Sequence, residues 1–426
     1  MRTKEEIAKM IEAEDVEFLR LQFADAFGNL KNIAVTTGQL ERVMNNQFSF
    51  EGSAVFDNQY QIDEELYLYP DLDSFVILPW RPQQRKVAKV ICDVCHEDGT
   101  LYEMSPRTIL KRAIAIAESK GYRFMINPEC EFYLFHTDED GMPTTVTHES
   151  AGYLDVGPFD YGENARRDIV LTLEEMGFEI ESSHHELSPA QHEIDFAQSE
   201  SLEIADAVMT FKLAVRSIAR RFGLYATFMP KPKTELAGSG MHLNISMYQG
   251  EKNLFDPDEN GELSQEARYF TGGIMRHISA VCALTNPIVN SYKRLRCGAQ
   301  APHQVDFAME GESALIKYRK RHGESKVELR FPDTSANPYL AIAVCILAGI
   351  EGIEQKINPE DIQNEVKYML PGSLDLAVHA LEKDELIRKC LGRRFTQIYA
   401  EIKNREWQEY MSEVTDWERQ RYLNRL

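Results

Sequence analysis

Positive charge is scarce in this chain: 47 Lys and Arg stand against 68 Asp and Glu in 426 residues, a formal net charge of −21. So acidic a protein is excluded from holding nucleic acid by clustered cations. No apolar run is long enough to cross a membrane. The N-terminus, MRTKEEIAKMIEAEDVEF, alternates charged and apolar residues and lacks the apolar centre of a signal peptide. Cysteine is sparse and odd in number (Cys92, Cys95, Cys130, Cys282, Cys297, Cys345 and Cys390), which excludes a disulfide framework. Cys92 and Cys95 form a C-x-x-C inside the apolar run KVAKVICDVC, but no second pair follows at zinc spacing, so they read as buried strand thiols. Together these absences predict a cytoplasmic protein. A Walker-type loop is missing too, so any nucleotide is held by something other than a P-loop. There is no internal repeat, low-complexity tract or flexible linker. What remains, 43% hydrophobic and 27% charged, is the composition of a globular protein of two or three domains.

Thr3-Lys4-Glu5-Glu6 has the spacing of a capping box and predicts a short helix. VEFLRLQF and KNIAVT then flank Gly28-Asn29, a hairpin signal. LYLYPDL, SFVILPW and KVAKVICDV continue in short β-rich segments to about residue 97. Ser105-Pro106 open a helix as N-cap and first helical residue, and Gly121 closes it. This change of period sets a boundary within 98–104, between a small β-rich domain (1–100) and a large strand-and-helix domain (101–426). Helices are predicted near 162–176, 201–222, 264–283 and 337–354, with two more in the charged C-terminal region. The fold class is α+β.

Residues i and i+2 of a strand share a face. In FMINPECEFYLF, Phe124, Ile126, Cys130, Phe132 and Leu134 take one face while Glu129 and Glu131 share the other. In MHLNISM, Met241, Leu243, Ile245 and Met247 oppose His242, Asn244 and Ser246. In KVELRF, Val327, Leu329 and Phe331 oppose Lys326, Glu328 and Arg330. In SSHHELSPAQHEIDF, His184 and Glu186 share a face and Glu193 follows one short turn later. A wetted polar face would explain any one of these strands. Four of them, each with a carboxylate or histidine between long apolar residues, point instead to convergence. Converging glutamates repel one another unless cations neutralise them, and oxygen-rich ligands with one imidazole suit Mg²⁺ or Mn²⁺ better than zinc. The pattern suggests a polynuclear divalent site of the kind that handles phosphate. AGSG (237–240) adds a glycine-rich turn.

These segments carry a resemblance. FEGSA (50–54), NPECEF (127–132), HHELSPAQHE (184–193), ATFMPKP (226–232), GSGMHLNIS (238–246), NSYKRL (290–295) and VELRFPDTSANPYL (327–340) resemble glutamine synthetase of the bacterial type I, in order along nearly the whole chain. The resemblance implies a small N-terminal β-grasp domain, then a catalytic domain with an antiparallel sheet flanked by helices. It also implies a homo-oligomer, a two-ring dodecamer with active sites between neighbouring subunits. ATP is implied as a substrate, together with two or three Mg²⁺ or Mn²⁺ ions, and glutamate or a close analogue plus an amine. By motif, Glu131, Glu186 and Glu193 resemble the ligands of one metal, and Glu129, His242 and Glu328 those of a second. His184 and Arg330 fall at phosphate-handling positions. Arg294 and Gly238 match groups that hold glutamate, and Tyr153 matches a tyrosine of the ammonium pocket. Ser246 lies where a serine stands beside the nucleotide, with Lys317 and Lys326 at arginine positions nearby. The implied chemistry has two steps: ATP phosphorylates the γ-carboxylate, and an amine then displaces phosphate.

Several positions depart from the family pattern. Glu51 replaces the aspartate that helps deprotonate ammonium, and Ala54 replaces a serine of that pocket. Gln300 stands where a glutamate closes over the site, and glutamine cannot act as that base. Ala237 replaces an asparagine that contacts glutamate, and Glu312 replaces an arginine that faces phosphate. Lys317, Arg319, Lys320 and Arg321 are the nearby cations that could substitute for it. The metal-ligand positions survive while the amine pocket is rewritten, which suggests a γ-glutamyl amide ligase using an amine other than ammonia. Glutamine synthetase proper, with Glu51 as base, and a catalytically weak paralogue acting through regulation or assembly are the alternatives.

Overall fold

The computed structural model describes residues 2–81, 83–258, 263–296, 304–309, 314–321, 323–364 and 369–425. Helix Lys4–Ala13 opens on the expected box: Thr3 accepts from the Glu6 N–H while the Glu6 carboxylate accepts from the Thr3 N–H, satisfying two otherwise orphaned donors. β1 (Val16–Ala24) and β2 (Leu30–Thr36) form the hairpin, and Gly28 takes a φ of +77° at its turn. β3 (Ser49–Glu51), β4 (Glu65–Ile77) and β5 (Lys86–Cys95) complete a sheet in the order β2-β1-β5-β4-β3. LYLYPDL and SFVILPW are one strand rather than two. A register shift against β5 between Asp71 and Val76 absorbs the polar residues that look like a break in sequence. Cys92 and Cys95 are buried free thiols, as their apolar run implies.

The second sheet holds the chemistry-bearing strands. Its main path runs β13 (Phe307–Met309), β14 (Ile316–Arg321), β15 (Glu324–Leu329), β11 (Met241–Gln249), β6 (Arg123–His136), β8 (Gln191–Phe196) and β7 (Ile180–His185). Short strands β9 (Ser199–Glu200), β10 (Leu224–Thr227) and β12 (Lys252–Asn253) pair at its margins. Every pairing in it is antiparallel except β13 with β14. The alternate residues Ile126, Cys130, Phe132, Met241, Leu243, Ile245, Val327 and Leu329 are buried in the core, which leaves their neighbours to form the opposite face.

The helices follow the apolar spacing: Glu163–Glu175, Ser201–Ala219, Gln265–Thr285 and Pro338–Gln355. The second ends early in a 3₁₀ turn closed by Gly223 at φ +69°. The C-terminal region contains five helices among the described residues, not two: Pro359–Asn364, Leu374–Lys383, Glu385–Leu391, Arg393–Ser412 and Asp416–Tyr422. Single residues divide them. Asp384 caps Glu385–Leu391 by accepting from the Ile387 N–H, and Gly392 at φ +90° turns the chain before the next helix. Pro338–Gln355 is long and apolar enough to cross a membrane by length and composition, an exception to the sequence expectation, yet 78% of it is buried inside the protein. It lies backbone-close to Gln265–Thr285: a Cβ on Gly352 would fall 2.0 Å from the Tyr269 carbonyl oxygen, and one on Gly273 would fall 2.1 Å from that of Ala348.

The two sheets share a continuous core. Buried polar groups fix their junction. Asn337 caps Pro338–Gln355 by accepting from the Tyr339 and Leu340 N–H groups and donates to the Asp25 carbonyl. Arg107, 4% exposed, reaches Asp71 and Asp93 at 2.6 Å and Asp206 at 2.9 Å.

Candidate functional site

β6 is the axis of the site, because its neighbours place polar residues directly across from its two glutamates. Glu129 lies opposite His242 of β11 and Asp195 of β8, and Glu131 lies opposite Glu193 of β8. Glu193 in turn lies opposite His184 of β7. On the other side Asn244 of β11 pairs with Glu328 of β15, and Glu328 with Lys317 of β14. The period of two therefore gathers onto one sheet face residues separated by up to two hundred positions.

Two groups result. In the first, His242 Nδ1 is 2.9 Å from Glu129 Oε2 and 3.5 Å from Glu328 Oε1, and Asn244 donates to Glu129 Oε1 at 3.1 Å. Arg319 Nη1 lies 3.3 Å from Glu129 and 3.2 Å from Glu328, while Arg330 Nε is 3.6 Å from Glu328. Burial works to raise the Glu129 carboxyl, but the hydrogen bond and charge of His242 and the charge of Arg319 outweigh it and hold it at about 2. In the second group, His184 lies 3.6 Å from Glu186 and 3.7 Å from Glu193, and Asp195 is within ligating reach of His184 and Glu193. Burial, reinforced by the charges of Glu131, Asp195, Glu129 and Glu186, pushes the Glu193 carboxyl up to about 12. Burial also raises Glu131, despite a 2.8 Å hydrogen bond from the Gln191 amide.

Both groups fit divalent cations. Asp195 Oδ1 is buried with no hydrogen-bond partner, and Glu328 Oε2 is buried with no hydrogen bond and only the Arg319 guanidinium at 3.2 Å; buried acceptors of this kind are compensated by cations. Donor sets of carboxylate oxygens with one imidazole match Mg²⁺ or Mn²⁺. A third carboxylate–imidazole group, Glu149 with His185 and His192, is buried beside Arg166, whose guanidinium donates to His192 at 2.8 Å and to Asp160 at 2.7 Å.

Arg294 sits under the site on helix Val289–Arg296, donating to the carbonyls of Phe331 at 2.8 Å and Arg330 at 3.0 Å. Gly240 lets it approach: a Cβ there would fall 2.6 Å from Arg294 Nη2 and 3.1 Å from both Glu131 Oε1 and His242 Nε2. Gly238 is packed as closely, its added Cβ 2.6 Å from Arg294 Cγ and from the Pro230 carbonyl. Tyr153 is 55% exposed with its ring edge-on to His184 at 5.6 Å.

The structure thus brings together Glu129, Glu131, His184, Glu186, Glu193, Gly238, His242, Arg294, Lys317, Glu328, Arg330 and Tyr153. Lys326 shares the face and donates to Asn127 Oδ1 at 3.1 Å. Ser246 is fully buried and donates to the Ser325 carbonyl at 3.0 Å. Glu51 is exposed on the edge strand β3, and no hydrogen bond or ion pair joins it to the second sheet among the described residues. Ala54 packs partly buried in the 3₁₀ segment Gly52–Phe56. Gln300 and Glu312 lie outside the described residues. Residues that the motif reading did not assign are Asn244, Asp195, Gln191 and Gly240. Asn244 already stands on the polar face of MHLNISM by the period of two, and the same rule reaches Asp195, two positions after Glu193 on its own strand.

This chain belongs to the glutamine synthetase family: the family's β-grasp domain matches residues 15–97 and its catalytic domain matches residues 103–422. It is an ATP-dependent ligase of that family, which uses divalent metals. Among its relatives are glutamine synthetase of Clostridium saccharobutylicum, 47% identical with 99% of each chain covered, and glutamine synthetase of Staphylococcus aureus (strain Mu50), 43% identical with 99% of this chain and 98% of that one covered. Solved structures of GmaS are also similar: the ADP complex superimposes with a TM-score of 0.88 at 30% identity, and the ligand-free form with 0.87 at 31%, both covering 98% of this chain and 99% of the other.

Proposed function

We propose that the chain forms a γ-glutamyl amide from glutamate and an amine other than ammonia, through γ-glutamyl phosphate at the expense of ATP. One observation carries this reading: the six metal-ligand positions are kept and come together on one sheet face, while Glu51, Ala54 and Gln300 depart from the ammonium-handling pattern. Glu131, Glu186 and Glu193 are assigned to one metal and Glu129, His242 and Glu328 to another. When bound, the ions supply the charge neutralisation that lets phosphates approach so acidic a face. Arg294 holds the carboxylate of glutamate, fixed in position by the two carbonyls it donates to. Arg330, with His184, meets the transferring phosphate, and Lys317, Lys326 and Ser246 belong to the nucleotide side. Tyr153 borders the amine pocket, and Gln300 matches the family position at which a glutamate closes over the site. A glutamine at that position removes an anion that would hold ammonium, and an amine of lower pKa needs a weaker base.

The domain boundary is placed at 100/101 and the location in the cytoplasm. The oligomer is a ring, two-layered as in the dodecamer the family implies. It is supported by the exposure of Glu51 on an edge strand, with no hydrogen bond or ion pair to the second sheet among the described residues, and by the exposed Tyr153 and Leu154 next to His184 and His185, followed in the chain by the exposed Val156, Phe159 and Tyr161. Glu51 then reaches the site of a neighbouring copy. Glutamine synthetase proper is the second reading, favoured by the higher identity to relatives of that name. Phosphate release from ATP and glutamate, measured over ammonia, methylamine, ethanolamine and polyamines, separates the two. Turnover with ammonia matching or exceeding every amine overturns the first reading.

A further inference from the structure

Arg319 has a placement that strand pairing alone does not favour. It lies opposite Lys326 across β14 and β15, and a like-charge cross-strand pair is destabilising. Lys326 escapes to Asn127 Oδ1 at 3.1 Å and Glu324 at 3.5 Å. Arg319 turns the other way, and its single Nη1 nitrogen sits between Glu129 and Glu328 at 3.3 and 3.2 Å. Those are the two carboxylates of the His242 group. The oxygen it faces on Glu328, Oε2, is buried and makes no hydrogen bond of proper geometry. So Arg319 donates to Glu129 and neutralises Glu328 without hydrogen-bonding its Oε2. The other group has no comparable guanidinium between its carboxylates among the described residues.

We infer that Arg319 is a tethered cation that shares Glu129 and Glu328 with the divalent ion of the His242 group and lowers the affinity of that group for the ion. The inference rests on the proposed assignment of His242, Glu129 and Glu328 as metal ligands. A divalent ion drawing on both carboxylates meets a positive charge held within a few ångströms, and at that range like charges repel strongly in a partly buried site. Entry of the ion then obliges the guanidinium to give up at least one carboxylate. It is a positioning residue: it acts on the ion through the carboxylates.

The test is Mn²⁺ binding to the full chain by titration calorimetry, without substrates, for the native protein and for Arg319→Ala, Arg319→Lys and His242→Ala. Removing Arg319 tightens the His242-dependent binding step by at least about fivefold. Arg319→Lys, which keeps the charge but not the fork, falls between that variant and the native protein. A merely structural role predicts the reverse, weaker binding with a lower thermal midpoint. Unchanged or weaker Mn²⁺ binding in a folded Arg319→Ala overturns the inference, provided His242→Ala does weaken one step. If His242→Ala leaves both steps intact, the ligand assignment itself fails. Should Arg319→Ala not fold, Arg319→Lys is decisive alone: affinity equal to or weaker than the native protein overturns the inference.

Discussion

Gly240→Ala puts one methyl group between Arg294, Glu131 and His242. The new carbon would stand 2.6 Å from Arg294 Nη2, where ordinary contact needs about 3.5 Å, so about 1 Å must be found. Glu131 Oε1 and His242 Nε2, each 3.1 Å away, close the alternative directions. Arg294 is buried and tied to the carbonyls of Phe331 and Arg330, so its retreat loses charge-assisted hydrogen bonds of about 1.5–3 kcal/mol each. The overall stability cost of such overpacking is about 1–3 kcal/mol. The functional cost is larger, since a displacement of about 1 Å in a positioning group lowers rate by about 10²-fold. The expected result is a fall of roughly 10- to 100-fold in kcat/KM for glutamate, carried mainly by KM, with ATP saturation changed less. Coupled ADP release over a glutamate titration measures it, with circular dichroism to verify folding. A folded Gly240→Ala whose kcat/KM stays within about threefold of native would refute the claim that this glycine seats a glutamate-holding arginine.

Arg107→Met removes the one buried guanidinium shared by the partly exposed Asp71, Asp93 and Asp206, of which Asp93 keeps Lys111 and Asp206 keeps the Tyr339 hydroxyl, so unfolding free energy should fall by about 2–3 kcal/mol; a loss under about 1 kcal/mol would show that the network is not what joins the two sheets. Ala54→Ser with Gln300→Glu restores a polar contact and a base, and should raise amide formation from ammonia relative to the preferred amine; an unchanged ratio in competition assays would sink the pocket argument. For His277, burial lowers the pKa, but hydrogen bonds and charge from Asp384 at 2.7 Å and from Glu351 raise it above its ordinary value. A raised folded pKa gives stabilisation that is complete below about pH 6.5 and lost as pH climbs through the folded value. The thermal-midpoint gap between native protein and His277→Gln should therefore shrink from pH 6 to pH 9, about three units spanning the shift; a gap that is constant or grows contradicts the assignment.

Much of this was written locally. Alternation along NPECEF, MHLNIS and KVELRF fixes which side chains share a sheet face, because the period of two is a property of any extended strand. Caps and hairpin signals are equally local, so Thr3, Gly28 and Pro106 mark their elements without reference to the rest of the chain. The order of strands across the sheet is not local. Only the register between β6, β8 and β11 sets Glu129 against His242 and Glu131 against Glu193, and that register depends on core packing of the opposite face. Breaks made by one residue, such as Asp384 and Gly392, or absorbed by a register shift, as between Asp71 and Val76, escape a reading based on period. Arg319 shows the limit most plainly. In sequence it is one of several cations after Lys317; its pairing with Glu129, 190 residues earlier, exists because β14, β15, β11 and β6 are neighbours in one sheet. The residue types capable of the chemistry are determined by sequence, but which of them meet, and at what distance, is decided by the long-range packing that aligns the strands.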